Sequence, residues 1–217
     1  AHLEAFRSAC GLIAPFARDL EHPGVPDWVQ RKTIYAPGLT DAKPSRAPKS
    51  GGVLVILGEG GTSITAEDIA AAASGCPHLS WWVAGRMQAP ADCPANLVFA
   101  GWTDRLTNEI ASASVVVGAA GDGVVGLVMA SDRPFVCVPE PRPYDEQYAT
   151  AAGLDRLGAA IMCPQWPEAE DWAAVIASAA ALDPAARTAL HDVDAAEKLA
   201  RWLEAQATAL APLEAAA

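Results

Sequence analysis

The sequence predicts an α/β protein, a Rossmann-like parallel sheet with helices on both faces. Three observations predict it. Wholly apolar runs of strand length recur, such as Val53 to Leu57 (VLVIL), and strands buried on both faces lack the polar alternation of half-exposed ones. Ala-rich, helix-favouring stretches follow these runs, and repeated strand–helix units imply a parallel sheet. Glycine-rich turns at Gly58 to Ser63 (GEGGTS) and Gly118 to Gly126 (GAAGDGVVG) sit where strands hand over to helices.

The elements follow in order. His2 to Phe16 opens with apolar periodicity and continues into Leu12–Ala14, a short strand. Ala17 to Gln30 holds Pro23 and Pro26 and is expected to be a loop, with a strand after it over Lys32–Ala36. Asp41 to Gly52 (DAKPSRAPKSGG) has linker composition. Further strands are expected at 53–57, 79–84, 97–100, 115–117, 134–138 and 159–162. Between them, helices are expected over 65–74, 106–112, 124–130 and 146–157, and two more over 168–181 and 184–206. Glu67 and Asp68 fall in the first turn of the first of these, where a helix dipole favours acids. On the last helix, Asp192, Asp194, Glu197 and Lys198 are expected on the solvent side and Leu190, Val193, Leu199 and Leu203 on the apolar side.

Composition narrows the function. Of 217 residues, 52% are hydrophobic, ample for a core, and no apolar run reaches the length of a membrane span. The net charge of −11 argues against nucleic acid and against general affinity for anionic lipid. Five cysteines form no CxxC pair, and four histidines are scattered. Reduced thiols, a cytoplasmic location and the absence of a metal site are therefore expected. There is no basic-then-apolar leader and no initiator Met, so the chain is expected to be a piece of a longer one.

Four segments carry candidate chemistry. Gly60, Gly61 and Thr62 lie in a strand-to-helix loop whose N–H groups and hydroxyls can face a diphosphate; a plain turn with Thr or Ser as helix cap explains the same residues. The loop is neither a Walker A motif nor a GxGxxG, so classical ATP or NAD binding is not supported and no cofactor is expected. In Gly101 to Leu106 (GWTDRL), Trp102 and Arg105 suit stacking on a base; the alternative is a Trp packed under the turn with Asp104 as helix cap. Gly121 and Gly123 flank Asp122 at a helix start, a place that favours an anion except for that carboxylate. In Pro139 to Gln147 (PEPRPYDEQ), Arg142 suits an oxyanion, and Asp145, Glu146 and Gln147 suit sugar hydroxyls; a helix cap accounts for Asp145 alone.

Taken in order over roughly Lys32 to Leu203, these segments resemble the carboxy-terminal, donor-binding half of GT-B-fold glycosyltransferases, most closely the branch of the peptidoglycan UDP-N-acetylglucosamine transferase. The resemblance implies that residues 1–40 are the remnant of an amino-terminal acceptor domain and interdomain segment. Residues 41–52 become a linker and 53–217 a nucleotide-sugar donor domain. It implies main-chain contact with the base at Thr103, apolar contact at Leu106, diphosphate at Gly121 and Gly123, and donor-sugar contacts at Asp145, Glu146 and Gln147. One departure stands out: the position that holds a ribose-binding Glu in that branch is Leu127. The implied function is transfer of a sugar from a nucleoside-diphosphate sugar to a hydroxyl acceptor. The general base would lie on the missing amino-terminal domain. Two alternatives remain: a non-catalytic nucleotide-sugar-binding module working with a separate chain, and an epimerase of the same fold.

Overall fold

The computed structural model describes residues 2–40, 42 and 52–210. Its elements are α1 (His2–Ser8), β1 (Leu12–Ala14), α2 (Asp27–Lys32), β2 (Thr33–Tyr35), β3 (Val53–Ile56), α3 (Ala66–Gly75), β4 (Trp81–Ala84), β5 (Leu97–Gly101), α4 (Leu106–Ser112) and β6 (Val115–Gly118). Then come α5 (Asp122–Ser131), β7 (Phe135–Cys137), α6 (Glu146–Arg156), β8 (Ile161–Met162), α7 (Trp172–Ala181), α8 (Pro184–Thr188) and α9 (Ala195–Leu210). β1 and β2 form a two-stranded ribbon, and the rest form a six-stranded sheet in the order β5-β4-β3-β6-β7-β8. Every strand pair is parallel.

The apolar runs of β3 and β6 are buried along their whole length, and their side chains alternate between two cores. Leu54, Ile56 and Val116 join one cluster with Ile110, Val125, Val128 and Leu154 from α4, α5 and α6. Val53, Val55, Val115 and Val117 join the other, with Ile69, Ala73 and Trp172 from α3 and α7. This two-sided burial is why neither strand alternates polar and apolar residues.

Helix α3 starts at a capping box: Asp68 N–H donates to Thr65 Oγ1 (3.1 Å), and Thr65 N–H donates to Asp68 Oδ2 (2.9 Å). The cap is thus Thr65, outside the Gly58–Ser63 loop. Gly85 ends β4 at φ +135, where a Cβ would stand 2.6 Å from Leu57 Cβ, so glycine alone lets the ends of β3 and β4 approach.

Several expected boundaries move. The loop expected over 17–30 contains a 3₁₀ turn, Arg18–Leu20, and the start of α2. Pro26 sits at the N-cap of α2, where its missing N–H costs no helical bond, so it opens a helix rather than excluding one. Helix α5 begins two residues earlier than expected, at Asp122. The final helix is two: α8 and α9 are separated by 189–194, where Leu190 turns into the core and Asp192 N–H donates to Pro37 O (3.3 Å). Leu190, Asp192, Val193 and Asp194 therefore precede α9, and Val193 is exposed. The expected linker falls outside the described residues, apart from Ala42 and Gly52.

The amino-terminal ribbon packs on the sheet domain. Ala17 is buried in the first core cluster, and Leu20 packs against it. Arg156 donates to Asp19 O (2.8 Å), and the Trp202 ring of α9 lies against Gly11. At the other end, Trp172 is fully buried and meets Trp81 edge-to-face at 5.5 Å. Trp172→Ala is expected to cost about 3–5 kcal/mol, the range for emptying a buried aromatic site. Trp172→Phe should cost much less, since Trp172 Nε1 has no hydrogen-bond partner to lose. Urea unfolding of both variants measures the contrast.

Candidate functional site

The chain runs from β3 outward through β4 and β5, then returns to β6 on the other side of β3 and runs outward again. At that reversal the loops after β3 and β6 diverge and leave a crevice at the carboxyl ends of the strands. The crevice is a cavity of about 480 Å³, a size suited to a small organic ligand.

All the candidate residues singled out in the sequence except Arg105 and Asp145 line this cavity. Trp102, Thr103 and Leu106 come from the turn after β5. Gly60, Gly61 and Thr62 come from the loop after β3. Gly121 and Gly123 stand at the start of α5, Arg142 on the approach to α6, and Glu146 and Gln147 in its first turn. Trp102 is 55% exposed and does not pack under its turn; the cation over its ring is Arg86, at 5.6 Å. The N-cap of α4 is Arg105, without a side-chain cap, so Asp104 does not cap it; Arg105 N–H donates to Thr103 Oγ1 (3.0 Å). Asp145 is the N-cap residue of α6 but adopts a left-handed conformation (φ +53) and makes no side-chain cap bond, so the capping-box explanation fails.

Gly123 has no atom within 4 Å of an added Cβ, so a side chain there would enter open space at the helix start. No side chain caps α5, so Asp122 is not neutralised as a cap. Burial raises the Asp122 carboxyl above its usual pKa, and the neighbouring Glu146 carboxylate pushes it the same way. Leu127 also lines the cavity and packs on the first core cluster.

On the far side, the Gln147 side chain is nearly buried, and its Oε1 accepts a bond from Glu140 N–H (3.0 Å). A backbone donor requires an acceptor, which fixes the amide so that Nε2 faces the Gly121 turn, 3.8 Å from where a Gly121 Cβ would stand. Arg142 lies over Gly60 and donates to Gly61 O (2.8 Å). Thr62 is already engaged: its hydroxyl donates to Glu140 Oε1 (2.5 Å) and accepts from Ile64 N–H (3.1 Å).

Two lining residues, Glu140 and Trp166, and Arg86 beside Trp102 had no functional reading in the sequence. Glu140, buried in the PEPRP run, carries no sequence signal that separates it from a surface acid. Arg86 follows β4 in an unremarkable turn. Trp166 meets Trp172 at 4.5 Å in a tilted contact, donates from Nε1 to Asp68 O (3.2 Å) and lines the cavity as well; its place just after the last sheet strand was the available clue. Among the described residues, no group of three or more His, Cys, Asp or Glu side chains is placed to hold a metal ion, and no helix is long and apolar enough to cross a membrane.

A parallel sheet with its switch-point cavity flanked by a glycine-rich helix start gives the class: the chain has the α/β, Rossmann-like fold of GT-B glycosyltransferases. Within that class, residues 87–182 match the family model "Glycosyltransferase family 28 C-terminal domain". A curated relative, the UDP-N-acetylglucosamine--N-acetylmuramyl-(pentapeptide) pyrophosphoryl-undecaprenol N-acetylglucosamine transferase of Bradyrhizobium diazoefficiens, is 37% identical over 103 residues, 44% of this chain and 28% of that protein. The chain thus spans about a third or less of the length of the curated relatives it matches. Two solved structures share the fold. The spinosyn rhamnosyltransferase SpnG complexed with thymidine diphosphate has a TM-score of 0.62 at 20% identity, over 88% of this chain and 56% of that one. The glycosyltransferase of kitacinnamycin has a TM-score of 0.62 at 21% identity, over 83% and 49%.

The Asp122–Glu146 pair gives a direct test. Glu146→Gln removes the neighbouring charge but not the burial, so Asp122 should titrate lower than in the parent chain yet still above 3.8. An NMR pH titration of the Asp122 carboxyl carbon reads both values. Because the folded pKa is raised, the unfolded chain gives up this proton first. Ionised Asp122 therefore opposes folding as pH rises through that window, and Asp122→Asn should gain stability at neutral pH and lose the gain in acid.

Proposed function

We propose that this chain binds a nucleoside-diphosphate sugar in the switch-point cavity and serves as the donor half of a glycosyl transfer to a hydroxyl acceptor. The observation that carries the reading is the start of α5: an open glycine pair, with the unpaired N–H groups of a ten-residue helix directed at the crevice, suits a leaving diphosphate. Trp102 and Leu106 would flank the base, and Arg142 and Gln147 would meet the phosphate or sugar. Thr62, whose hydroxyl is committed to Glu140, contributes through the shape of its loop. Residues 1–40 are read as the end of an acceptor domain, 41–52 as a linker and 53–217 as the donor domain. The general base belongs to that acceptor domain, so this chain alone should bind without turnover. A cytoplasmic setting fits the reading; the five cysteines are free thiols.

A specific observation favours a second reading, a binding module acting with a separate partner chain. Leu127 cannot accept hydrogen bonds from ribose hydroxyls. Glu59, Asp122, Glu140 and Glu146 also line the cavity, against the single guanidinium of Arg142 among its lining side chains. A ligand that brings two negative phosphates meets that field unless the helix N-terminus outweighs it.

Titration calorimetry against a panel of nucleoside diphosphates and nucleotide sugars tests both readings, which require binding, and a turnover assay with simple acceptors tests the missing base. Gly123→Val projects into open space and should leave the fold intact. It should weaken nucleotide binding at least tenfold, about 1.4 kcal/mol. A folded variant that binds like the parent chain would exclude this turn from the site.

A further inference from the structure

Glu140 is 5% exposed, and no cation pairs with it among the described salt bridges. A buried carboxylate without a cation has to be held by hydrogen-bond donors. Here the donors come from the other side of the crevice. Thr62 Oγ1 donates to Oε1 at 2.5 Å, and Ser63 N–H donates to both oxygens, at 3.1 and 3.0 Å. The same residue's backbone N–H is held by Gln147 Oε1. Two positions further on, Arg142 reaches the same loop at Gly61 O. The loop after β3 and the loop after β7 lie on strands separated by β6, and Glu140 joins them. The β3 loop has reason to need a tie: Gly60 and Gly61 are free to adopt many conformations, and Gly61 sits at φ +83.

We propose that Glu140 is a positioning residue: its carboxylate latches the Gly58–Ser63 loop to the approach of α6, so that the cavity is shaped before any ligand arrives. The inference rests on the donor-site reading for its consequence, and on the four hydrogen bonds for its geometry. A latch removes the ordering cost that a free glycine loop would impose on binding. Glu140 itself touches no ligand in this account. Its bonds also explain why the Thr62 hydroxyl and the Ser63 N–H are not on offer to a phosphate.

The test uses the full chain with Glu140→Ala and Glu140→Gln. Gln keeps one acceptor oxygen for Thr62 and Ser63; Ala keeps none. Hydrogen exchange, which needs no ligand, should show faster exchange of the Ser63 and Ile64 amides in Glu140→Ala, with Glu140→Gln close to the parent and α5 amides unchanged in both. Calorimetry with UDP and UDP-N-acetylglucosamine as probes should show a loss of about tenfold or more in Glu140→Ala for both ligands, largely recovered in Glu140→Gln. Unchanged exchange at Ser63 and Ile64 overturns the latch. Faster exchange with unchanged or tighter binding also overturns it, and makes Glu140 an internal anion occupying the loop. If the parent chain binds neither probe, the donor-site reading fails while the exchange result still decides whether the latch exists. Should Glu140→Ala fail to fold, Thr62→Val with Glu140 intact removes one donor to the carboxylate along with the acceptor of Ile64 N–H, so the exchange comparison is then read at Ser63 alone.

Discussion

β3 pairs with β4 on one side and β6 on the other, in register from Val53 opposite both Trp81 and Val115. Because all these strands are parallel, each needs a crossover, and the crossovers on the two sides of β3 leave in opposite directions. The loops at the carboxyl ends of β3 and β6 cannot cover one another, so the crevice between them follows from strand order. Most of the side chains that face the cavity do so because their segments leave a strand at that edge. The two cores on the faces of the sheet hold this central pair; Leu54 and Val116 serve one, Val55 and Val117 the other. An exchange of β6 for a peripheral strand would close the crevice without altering any local motif.

Against this fixed frame, the walls of the cavity are made of flexible parts held by polar ties. The β3 loop carries Gly60 and Gly61, and the approach to α6 contains Tyr144 and Asp145 at positive φ, an arrangement that costs energy for residues other than glycine. Glu140, Arg142 and Gln147 form the ties between them. The electrostatics are mixed. The start of α5 offers N–H groups to an anion, yet Asp122 and Glu146 stand beside it, and burial together with the Glu146 charge raises the pKa of the Asp122 carboxyl. Leu127 makes the adjoining wall apolar. A nucleotide-sugar donor bound here would be selected by main-chain groups and shape more than by side-chain charge.

The order of secondary elements, the apolar strands and the glycine turns were written in the sequence, because local periodicity and backbone preference do not depend on distant partners. β3, α4, β5, β6 and α6 stand within a residue or two of where pattern alone put them. The same holds for the recognition of a donor-type domain, which rests on the order of motifs along the chain. Where sequence reasoning missed, a tertiary contact had decided. The helix expected over 184–206 breaks because Leu190 is drawn into the core and Asp192 is held by Pro37. Asp145 does not cap α6, because the loop before it adopts left-handed backbone to bring Glu140 and Arg142 across the crevice. Arg86 lies over Trp102, a pairing that no local pattern signals, because the ends of β4 and β5 are neighbours in the sheet. Glu140, 78 residues from Thr62 along the chain, had no local signature at all. A buried carboxylate is identified by the donors that surround it, and those are assembled only by the fold.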